Sequence, residues 1–287
     1  MKLNKLIFLL PMYNDWDSLK MVLKQINSKL EEMQQKGCVI VVNDYSIERN
    51  KSFDKYLNIE KISVLNLKEN VGSQKAISIG LKYISSKYKE KDIITVLDSD
   101  GEDDVNQIPS MVKMAKENFD RVIVSCRTKR EEKLIFKFLY FCHKLITLFF
   151  TLKWISFGNF SSFYSENTND ILKNDKSWLA FSGCLSYNCK ILRLRAPRKT
   201  RLIGNSKLSL KGLINHALRI NGVFIKRLSF IYLLYIIIFY LLIDKAISFY
   251  LIIAISLFYI GVIYSYFSND QKRYYNSSNL IRSIDKY

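Results

Sequence analysis

A cluster of carboxylates stands near the middle of the chain, where an apolar run ends at Leu97 and DSDGEDD begins. Five of the seven residues from Asp98 to Asp104 are acidic, although the whole chain has a formal net charge of +18. Crowded carboxylates repel one another, and a bound divalent cation relieves that repulsion. The cluster therefore indicates a cation site, and an ordinary solvated loop is the alternative.

The order of residues in this stretch favours the cation site. Residues 93–97 are apolar or β-branched, which is typical of a strand buried on both faces in a parallel sheet. If the extended backbone continues, period two turns Asp98 and Asp100 to one side and Ser99 to the other. Gly101 then permits a sharp bend. In open α/β sheets, ligands bind at this carboxyl end of the strands.

The residues around the acidic stretch alternate between strand and helix patterns. The predicted helices cover 15–36, 73–88 and 108–119, and the first begins at an N-cap of Asn14 or Asp15 and stops at Gly37. Strands are predicted at 6–10, 38–42, 62–65, 93–97 and 121–125. This alternation predicts the α/β class, with a Rossmann-like, mainly parallel sheet flanked by helices.

Several common kinds of site are excluded by missing motifs. PMYND follows the first strand in place of G-x-G-x-x-G, and no G-x-x-x-x-G-K-[ST] occurs, which argues against a dinucleotide oxidoreductase and a P-loop ATPase. The five cysteines form no C-x-x-C, and the chain has only two histidines. A diphosphate would then need a metal ion, and Mg²⁺ takes only one or two protein carboxylates.

Two apolar runs near the end of the chain predict a membrane hairpin. Residues 228–243 and 246–267 carry no charge, and a bilayer core needs roughly 20 apolar residues. The first run reaches that length by including 223–225, with Lys226 and Arg227 at the interface. Basic pairs before the first run and after the second predict that both ends face the cytoplasm. A buried core hairpin is the alternative.

This pattern divides the chain into a cytoplasmic α/β domain (1–222), two transmembrane helices (223–268) and a cytoplasmic tail (269–287). Residues 134–155 are apolar and aromatic but contain Lys137, Lys144 and Lys153. They predict a helix within about 131–157 that lies in the membrane interface, and a core helix is the alternative. Anionic lipid and phosphate substrates then explain the basic surplus without nucleic acid.

The motifs occur in an order that resembles family 2 inverting glycosyltransferases, especially the dolichol-phosphate mannosyltransferase and polyprenyl-phosphate glycosyltransferase branch. The series is PMYND, VVNDYS, ENVGSQKAI, LDSDGED, SCRTKR and RKTRLIGNSK, followed by the hairpin. The resemblance covers essentially the whole chain. It implies a GT-A fold, an integral membrane location with the catalytic domain on the cytoplasmic face, a nucleotide-sugar donor, a polyprenyl phosphate acceptor and Mg²⁺ or Mn²⁺.

The resemblance also implies roles for matching residues. Asp98 and Asp100 match a DxD pair, the first near the nucleotide sugar and the second on the metal, with Glu102 beside it. Arg127 and Arg130 match basic residues beside the acceptor phosphate. The segment that closes over the diphosphate corresponds to Arg198, Arg201, Ser206 and Lys207. The implied catalytic residues are Asp98, Asp100, Arg127 and Arg201. The implied donor-binding residues are Pro11, Tyr13, Asn14, Asp44, Lys75, Asp98, Arg201, Ser206 and Lys207.

Two departures from the family pattern bear on specificity. Relatives read D-D-G-S where this chain has Asn43, Asp44, Tyr45 and Ser46, so one carboxylate is lost and a glycine is replaced by tyrosine. Base selectivity is open for that reason. The chain has no Q-x-x-R-W, which disfavours a processive polysaccharide synthase.

Three functions stay open from the sequence. The first is a glycosyltransferase that makes a polyprenyl-phosphate sugar, whose acceptor phosphate is already ionised at neutral pH. The second is the same fold acting on a lipid or glycan hydroxyl, which needs a general base, with Asp103 and Asp104 as candidates by proximity. The third is a non-catalytic, membrane-tethered binding module. A homo-oligomer is compatible with each.

Overall fold

The structure is a computed structural model, and it describes residues 5–48, 52–89, 91–127, 134–196, 201–203 and 210–287. For residues 127, 134–137 and 196 the description covers the backbone only. Four residues named from the resemblance lie outside the described ranges, and the roles implied for them stay predictions. They are Arg130, Arg198, Ser206 and Lys207.

An eight-stranded sheet forms the centre of the molecule, in the order β7-β5-β6-β4-β1-β2-β3-β8. Neighbouring strands are parallel except that β6 is antiparallel to both β4 and β5, and β8 is antiparallel to β3. The strands are β1 (Leu6–Met12), β2 (Gly37–Asn43), β3 (Ile59–Leu67), β4 (Ile93–Val96), β5 (Arg121–Arg127), β6 (Phe157–Tyr164), β7 (Lys190–Ala196) and β8 (Ile281–Lys286).

Helices cover both faces of the sheet, and the later ones form an apolar extension. They are α1 (Trp16–Glu32), α2 (Ser73–Lys87), α3 (Ile108–Glu117), α4 (Leu134–Thr151), α5 (Thr168–Leu172), α6 (Lys176–Leu179), α7 (Phe181–Asn188), α8 (Leu210–Gly222), α9 (Ile225–Leu242), α10 (Lys245–Phe267) and α11 (Lys272–Tyr275). The predicted α/β class and the mainly parallel sheet are confirmed.

Two apolar layers hold the sheet between the helices. The stripe of α1 that includes Leu19, Val22 and Leu23 packs with α3 against one face of the sheet, and α2 packs against the other. Residues of β1, β2 and β4 are buried on both faces, which is why their sequences read as continuous apolar runs. A Cβ added at Gly80 in α2 would lie 2.4 Å from Leu9 Cδ1, so glycine permits the close approach of α2 to β1.

The predicted helices and strands up to residue 127 agree with α1 to α3 and β1 to β5 within a few residues. Three strands were not predicted: β6, β7 and β8. The largest difference concerns the segment 269–287, for which the sequence predicts only a cytoplasmic tail. Its strand β8 pairs with β3 in a register that places Ser63 opposite Lys286 and Leu65 opposite Ile284. This segment therefore completes one edge of the sheet.

The helices α9 and α10 form the predicted hairpin. Both are long and apolar enough to cross a membrane, and only 11% of the apolar window of each is buried. The two windows are therefore not packed into the core of the described chain, and membrane insertion of the hairpin stays a prediction. A Cβ added at Gly222, just before α9, would lie 3.8 Å from Tyr266 Cβ near the end of α10 and 3.0 Å from Leu179 Cδ2 in α6, so the two ends of the hairpin meet beside α6.

The helix α4 packs against the base of this hairpin. Arg227 Nη1 donates a hydrogen bond to the Thr151 carbonyl oxygen at 2.8 Å, and the Tyr235 hydroxyl donates to the Phe149 carbonyl oxygen at 3.0 Å. Phe150 is buried against Leu228 and other hairpin residues, whereas Phe138, Phe141 and Phe149 are exposed. One side of α4 is thus partly packed and another is apolar and uncovered, and its position in a membrane interface stays a prediction.

Candidate active site

The acidic stretch forms a tight turn at the carboxyl end of β4. The Asp98 amide donates to Asp103 Oδ2 at 2.9 Å, and the Glu102 amide donates to Asp100 Oδ1 at 3.1 Å. Gly101 has φ +80°, as expected for the predicted bend. The extended geometry ends at Val96, so the alternation expected along residues 98–100 does not apply, and Ser99 is buried within the turn. We refer to residues 98–104 as the DxD turn.

A chain of hydrogen bonds through the interior positions Asp98. Asn159 in β6 donates from Nδ2 to Asp98 Oδ1 at 2.9 Å. Gln74 in α2 donates from Nε2 to Asn159 Oδ1 at 3.1 Å and accepts from the Phe181 amide at 2.7 Å. Because both amide side chains are held by two partners, they orient the first aspartate of the pair.

Sequence reasoning missed Asn159 and Gln74. For Gln74 a signal existed, because it lies on the inward stripe of α2, three residues before Ile77 and seven before Leu81, and a polar residue buried on an apolar helix face needs a partner. For Asn159 no local signal existed, since it is one polar residue in a strand that already contains serines.

The segment 201–203 covers the DxD turn. Arg201 Nη1 lies 3.7 Å from Asp100 Oδ2, and its Nη2 contacts the Asp15 carboxylate. The Leu202 amide donates to the Asp100 carbonyl oxygen at 3.1 Å. A Cβ added at Gly101 would lie 2.3 Å from Leu202 Cδ1, so glycine is required there for space as well as for its positive φ. The structure thus brings Arg201 to the predicted pair.

Asp15 is a further residue of this site, although its place in the sequence predicts only a structural role. It occupies the predicted N-cap position of α1, but its side chain makes no capping hydrogen bond. It contacts Arg201 instead, and both side chains are nearly buried. Asp15 and Asp100 therefore hold the guanidinium group between them.

Asp44 fixes the loop that leads into α2. Its two carboxylate oxygens accept from the amides of Val71 at 2.7 Å and Gly72 at 2.8 Å. The side chain is buried, and burial raises the pKa of the Asp44 carboxyl although the two amide donors oppose that shift. A contact of Asp44 with a nucleotide stays a prediction.

The loops after β1 and β2 are joined to each other. The Asn14 amide donates to Ser46 Oγ at 2.8 Å, and the Ile47 amide donates to Asn14 Oδ1 at 2.9 Å. Tyr45 has φ +63°, a left-handed conformation that costs a non-glycine residue roughly 1–2 kcal/mol. Tyr45 therefore adopts the left-handed backbone conformation that glycine adopts easily, at the position where D-D-G-S has its glycine.

The other described residues predicted to bind the donor differ in burial and in contacts. Pro11 is buried in β1 opposite Val42, and Tyr13 is exposed where the strand ends. Lys75 Nζ donates to the Asn269 carbonyl oxygen at 3.3 Å and lies 5.0 Å from the centre of the Trp178 ring. Burial and the nearby Arg219 lower the pKa of Lys75. These contacts place Lys75 beside Asn269, two residues after the end of α10.

Arg127 is the last residue of β5, which runs parallel to β7. Only its backbone is described, so its predicted contact with the acceptor phosphate stays a prediction. Glu102, which is predicted to lie beside the metal, belongs to the DxD turn. Its backbone amide donates a hydrogen bond to Asp100 Oδ1.

The oxygen donors of the DxD turn suit a hard divalent cation. Within the described residues, no group of three or more histidine, cysteine, aspartate or glutamate side chains is arranged to hold a metal. Mg²⁺ needs fewer, because water and substrate phosphates complete its coordination. The Asp100 carboxylate already pairs with the Arg201 guanidinium. The oxygens of Asp98 and Asp100 match the ligands that Mg²⁺ prefers, and metal binding by this pair stays a prediction.

Known proteins share this sequence pattern. A model of glycosyl transferase family 2 matches residues 8–193. The chain is 28% identical over 134 residues to an undecaprenyl-phosphate 4-deoxy-4-formamido-L-arabinose transferase of Proteus mirabilis, covering 46% of this chain and 39% of that protein. It is 28% identical over 140 residues to the Yersinia enterocolitica protein of the same name, covering 47% and 41%. The match thus spans less than half the length of these curated relatives.

Solved structures share the fold. Mannosyl-3-phosphoglycerate synthase from Rubrobacter xylanophilus superposes with a TM-score of 0.54 at 14% identity, covering 79% of this chain and 74% of that one. Glucosyl-3-phosphoglycerate synthase from Mycobacterium tuberculosis, solved with Mn²⁺, UDP and glucosyl-3-phosphoglycerate, superposes with a TM-score of 0.50 at 14% identity, covering 79% and 80%. These likenesses confirm the expected GT-A fold. Since the family model matches more than half of the chain, the chain belongs to glycosyl transferase family 2.

Proposed function

We propose that this glycosyltransferase is anchored in the membrane by α9 and α10 and transfers a sugar, with inversion, from a nucleotide-sugar donor to a polyprenyl phosphate. The observation that carries the proposal is the DxD turn covered by Arg201 in a domain from which an apolar hairpin projects. The names of the curated relatives support an undecaprenyl phosphate acceptor. A bilayer-borne acceptor and a nucleotide-sugar donor would then meet at the cytoplasmic surface.

The chemistry follows from where negative charge develops. As the anomeric carbon leaves the nucleoside diphosphate, charge grows on the leaving oxygens, and fixed positive groups stabilise it there. Among the residues that the structure describes, Arg201 places a positive charge next to the DxD turn, and Asp15 holds its guanidinium in place. A divalent metal held by Asp98 and Asp100 supplies further stabilisation of that charge when bound. Attack by the acceptor from the opposite face inverts the configuration.

The contacts of Asp103 and Asp104 favour a phosphate acceptor over a hydroxyl. Asp103 Oδ2 accepts from the Asp98 amide at 2.9 Å, and Asp104 Oδ1 accepts from the Asn106 amide at 3.2 Å. Both side chains are buried and hold the shape of the turn. A general base must be able to reach its proton, whereas a phosphate with a second pKa near about 6 needs no base at neutral pH. A lipid or glycan hydroxyl is the second candidate acceptor.

Product analysis tests the proposed function. Purified protein in detergent with Mn²⁺ is incubated with polyprenyl phosphate and a panel of radiolabelled nucleotide sugars. We expect one donor to give an organic-soluble product that releases its sugar in mild acid, with the anomeric configuration inverted relative to the donor. A parallel incubation uses a membrane lipid extract as the acceptor, and an acid-stable product with a glycosidic bond to a hydroxyl there, without a polyprenyl phosphate product, would establish the second candidate.

Removing the charge of Arg127 tests the acceptor site. In Arg127→Gln we expect the KM for polyprenyl phosphate to rise about tenfold, because a charge-assisted contact is lost, while the KM for the nucleotide sugar changes little. The measurement is initial rate against each substrate with the other saturating. Arg121→Gln, at the other end of β5, is the matched control. Equal increases in both KM values would contradict an acceptor role.

Replacing the hairpin tests membrane anchoring. A truncation after Asn221 would remove β8 from the sheet together with the hairpin, so the hairpin alone must be replaced. Since Gly222 and Tyr266 are adjacent, a linker of about six Gly and Ser residues can replace residues 225–267 and keep β8. We expect this variant to bind nucleotide and to be released from membranes by high salt and alkaline washing, because α4 alone gives only peripheral binding. Retention after both washes would contradict the assignment.

A further inference from the structure

A cavity of about 560 Å³ lies at the edge of the sheet formed by β2, β3 and β8. Among its lining residues are Trp16, Tyr45, Asn66, Arg282, Asp285 and Tyr287. Ser46 also lines it, and the Asn14 amide is bonded to this serine. The cavity therefore adjoins the loops after β1 and β2 that were predicted to bind the donor, and β8 forms one of its walls.

The polar floor of the cavity is a connected hydrogen-bond network. Asn43 donates from Nδ2 to Asn66 Oδ1 at 2.8 Å and accepts from the Ser46 amide at 3.0 Å. Asn66 donates to Ser283 Oγ at 3.1 Å and to Asp285 Oδ2 at 2.8 Å. Asn43 thus uses both ends of its amide within the protein, whereas Asp285 adds a carboxylate to the same floor.

The strand register explains how Asp285 reaches this position. Ser283 pairs with Asn66, and Asp285 pairs with Val64. Side chains two residues apart share a face of the sheet, so Ser283, Asp285 and Tyr287 lie on the side that faces the cavity. The pattern D-D-G-S has a carboxylate where this chain has Asn43, and β8 returns one carboxylate to the neighbouring position.

Aromatic rings complete the cavity. Phe53 contacts both Trp16 and Tyr287, with ring centres 6.3 Å and 5.0 Å apart. Trp16 Nε1 donates to the Glu48 carbonyl oxygen at 2.8 Å, which fixes the indole ring. Rings held beside a polar floor suit a flat heterocycle that stacks on one surface and hydrogen-bonds through its edge.

We propose that β8 supplies the residues that select the base of the nucleotide donor. Asp285 accepts the N–H of a lactam edge, and Arg282 donates to the carbonyl beside that N–H. Uracil, thymine and guanine present this edge, whereas adenine and cytosine present a ring nitrogen acceptor and an amino donor there. This inference rests on the proposed function, because it assumes a nucleotide-sugar donor.

Calorimetric titration of the full-length protein in detergent with Mn²⁺ tests the inference. The ligands are UDP, dTDP, GDP, CDP and ADP, and the variants are Asp285→Asn and Arg282→Gln. We expect the wild-type protein to bind at least one lactam diphosphate about tenfold more tightly than CDP and ADP. Asp285→Asn should reduce that preference about tenfold, because asparagine still accepts from Asn66 but no longer supplies a charged acceptor to the base.

The controls separate a role in base selection from a role in holding the sheet together. Glu60→Gln removes a charge from exposed Glu60 in β3, which pairs only with Lys5 at 3.7 Å among the described contacts, and should change no affinity. Exchange of the Ile62 and Tyr287 amides, which bond across the β3 and β8 strands, reports whether β8 stays paired. Arg282→Gln should weaken lactam diphosphates severalfold more than ADP.

Three results would overturn the inference. Equal weakening of all five diphosphates in Asp285→Asn would show a structural role. Unchanged selectivity in both variants, while the wild-type protein binds the diphosphates, would refute the role of β8 and leave the proposed function intact. Failure of the wild-type protein to bind any of the diphosphates would overturn both.

Discussion

Asp98→Asn and Asp100→Asn each lower kcat/KM by about 10²- to 10³-fold, the loss expected when a group that stabilises developing charge is removed. Both variants should stay folded, with a loss of about 1–2 kcal/mol at most in the free energy of unfolding, because Asp100→Asn weakens the contact with the nearly buried Arg201. In Asp98→Asn the new amide oxygen can still accept from Asn159. Either change also relieves like-charge crowding in the turn. Initial rates and thermal unfolding in the same detergent measure both effects.

Metal dependence provides the matched test for these aspartates. Glu117→Gln removes one carboxylate from the exposed end of α3 and should leave turnover unchanged. Excess chelator should abolish wild-type activity, and added Mg²⁺ or Mn²⁺ should restore it. Full turnover in excess chelator would refute a role for the metal, and full turnover in both asparagine variants would refute the assignment of the DxD turn.

Arg201→Ala is expected to lower kcat by about 10²-fold with a smaller effect on the KM for the nucleotide sugar, because the charge it stabilises develops mainly in the transition state. Arg201→Lys should recover only part of the rate. Lysine keeps the charge but cannot bridge Asp15 and Asp100 with a planar fork. Steady-state kinetics with saturating acceptor separates kcat from KM.

Two further variants test whether Arg201 acts directly. Arg193→Ala removes an exposed guanidinium that donates to the Trp154 carbonyl oxygen at 3.1 Å, and it should have wild-type kinetics. Asp15→Asn should lower kcat less than Arg201→Ala does, because it loosens the arginine without removing it. If Arg201→Ala instead raised KM at constant kcat, Arg201 would bind the donor equally strongly in the ground state and the transition state.

The central strands and the catalytic carboxylates could be predicted because their signals are local. β1, β2 and β4 lie inside a parallel sheet, so each is apolar along its whole length. The DxD turn follows β4 directly. β8 gave no such signal, because it is an edge strand that carries charged residues and buries little apolar surface. β6 lies inside the sheet between β5 and β4, but Asn159, Ser161 and Ser162 interrupt its apolar pattern.

The sequence by itself determined the α/β class, the position of the paired aspartates after a buried strand and the existence of an apolar hairpin. Each depends on the order of neighbouring residues, which sets periodicity and burial within one element. Only the tertiary structure decided that Asn159 and Gln74 orient Asp98, and that Asp285 meets Asn66. The last pair is separated by 219 residues along the chain, and contacts at that range are set by strand order and register, which no local pattern encodes.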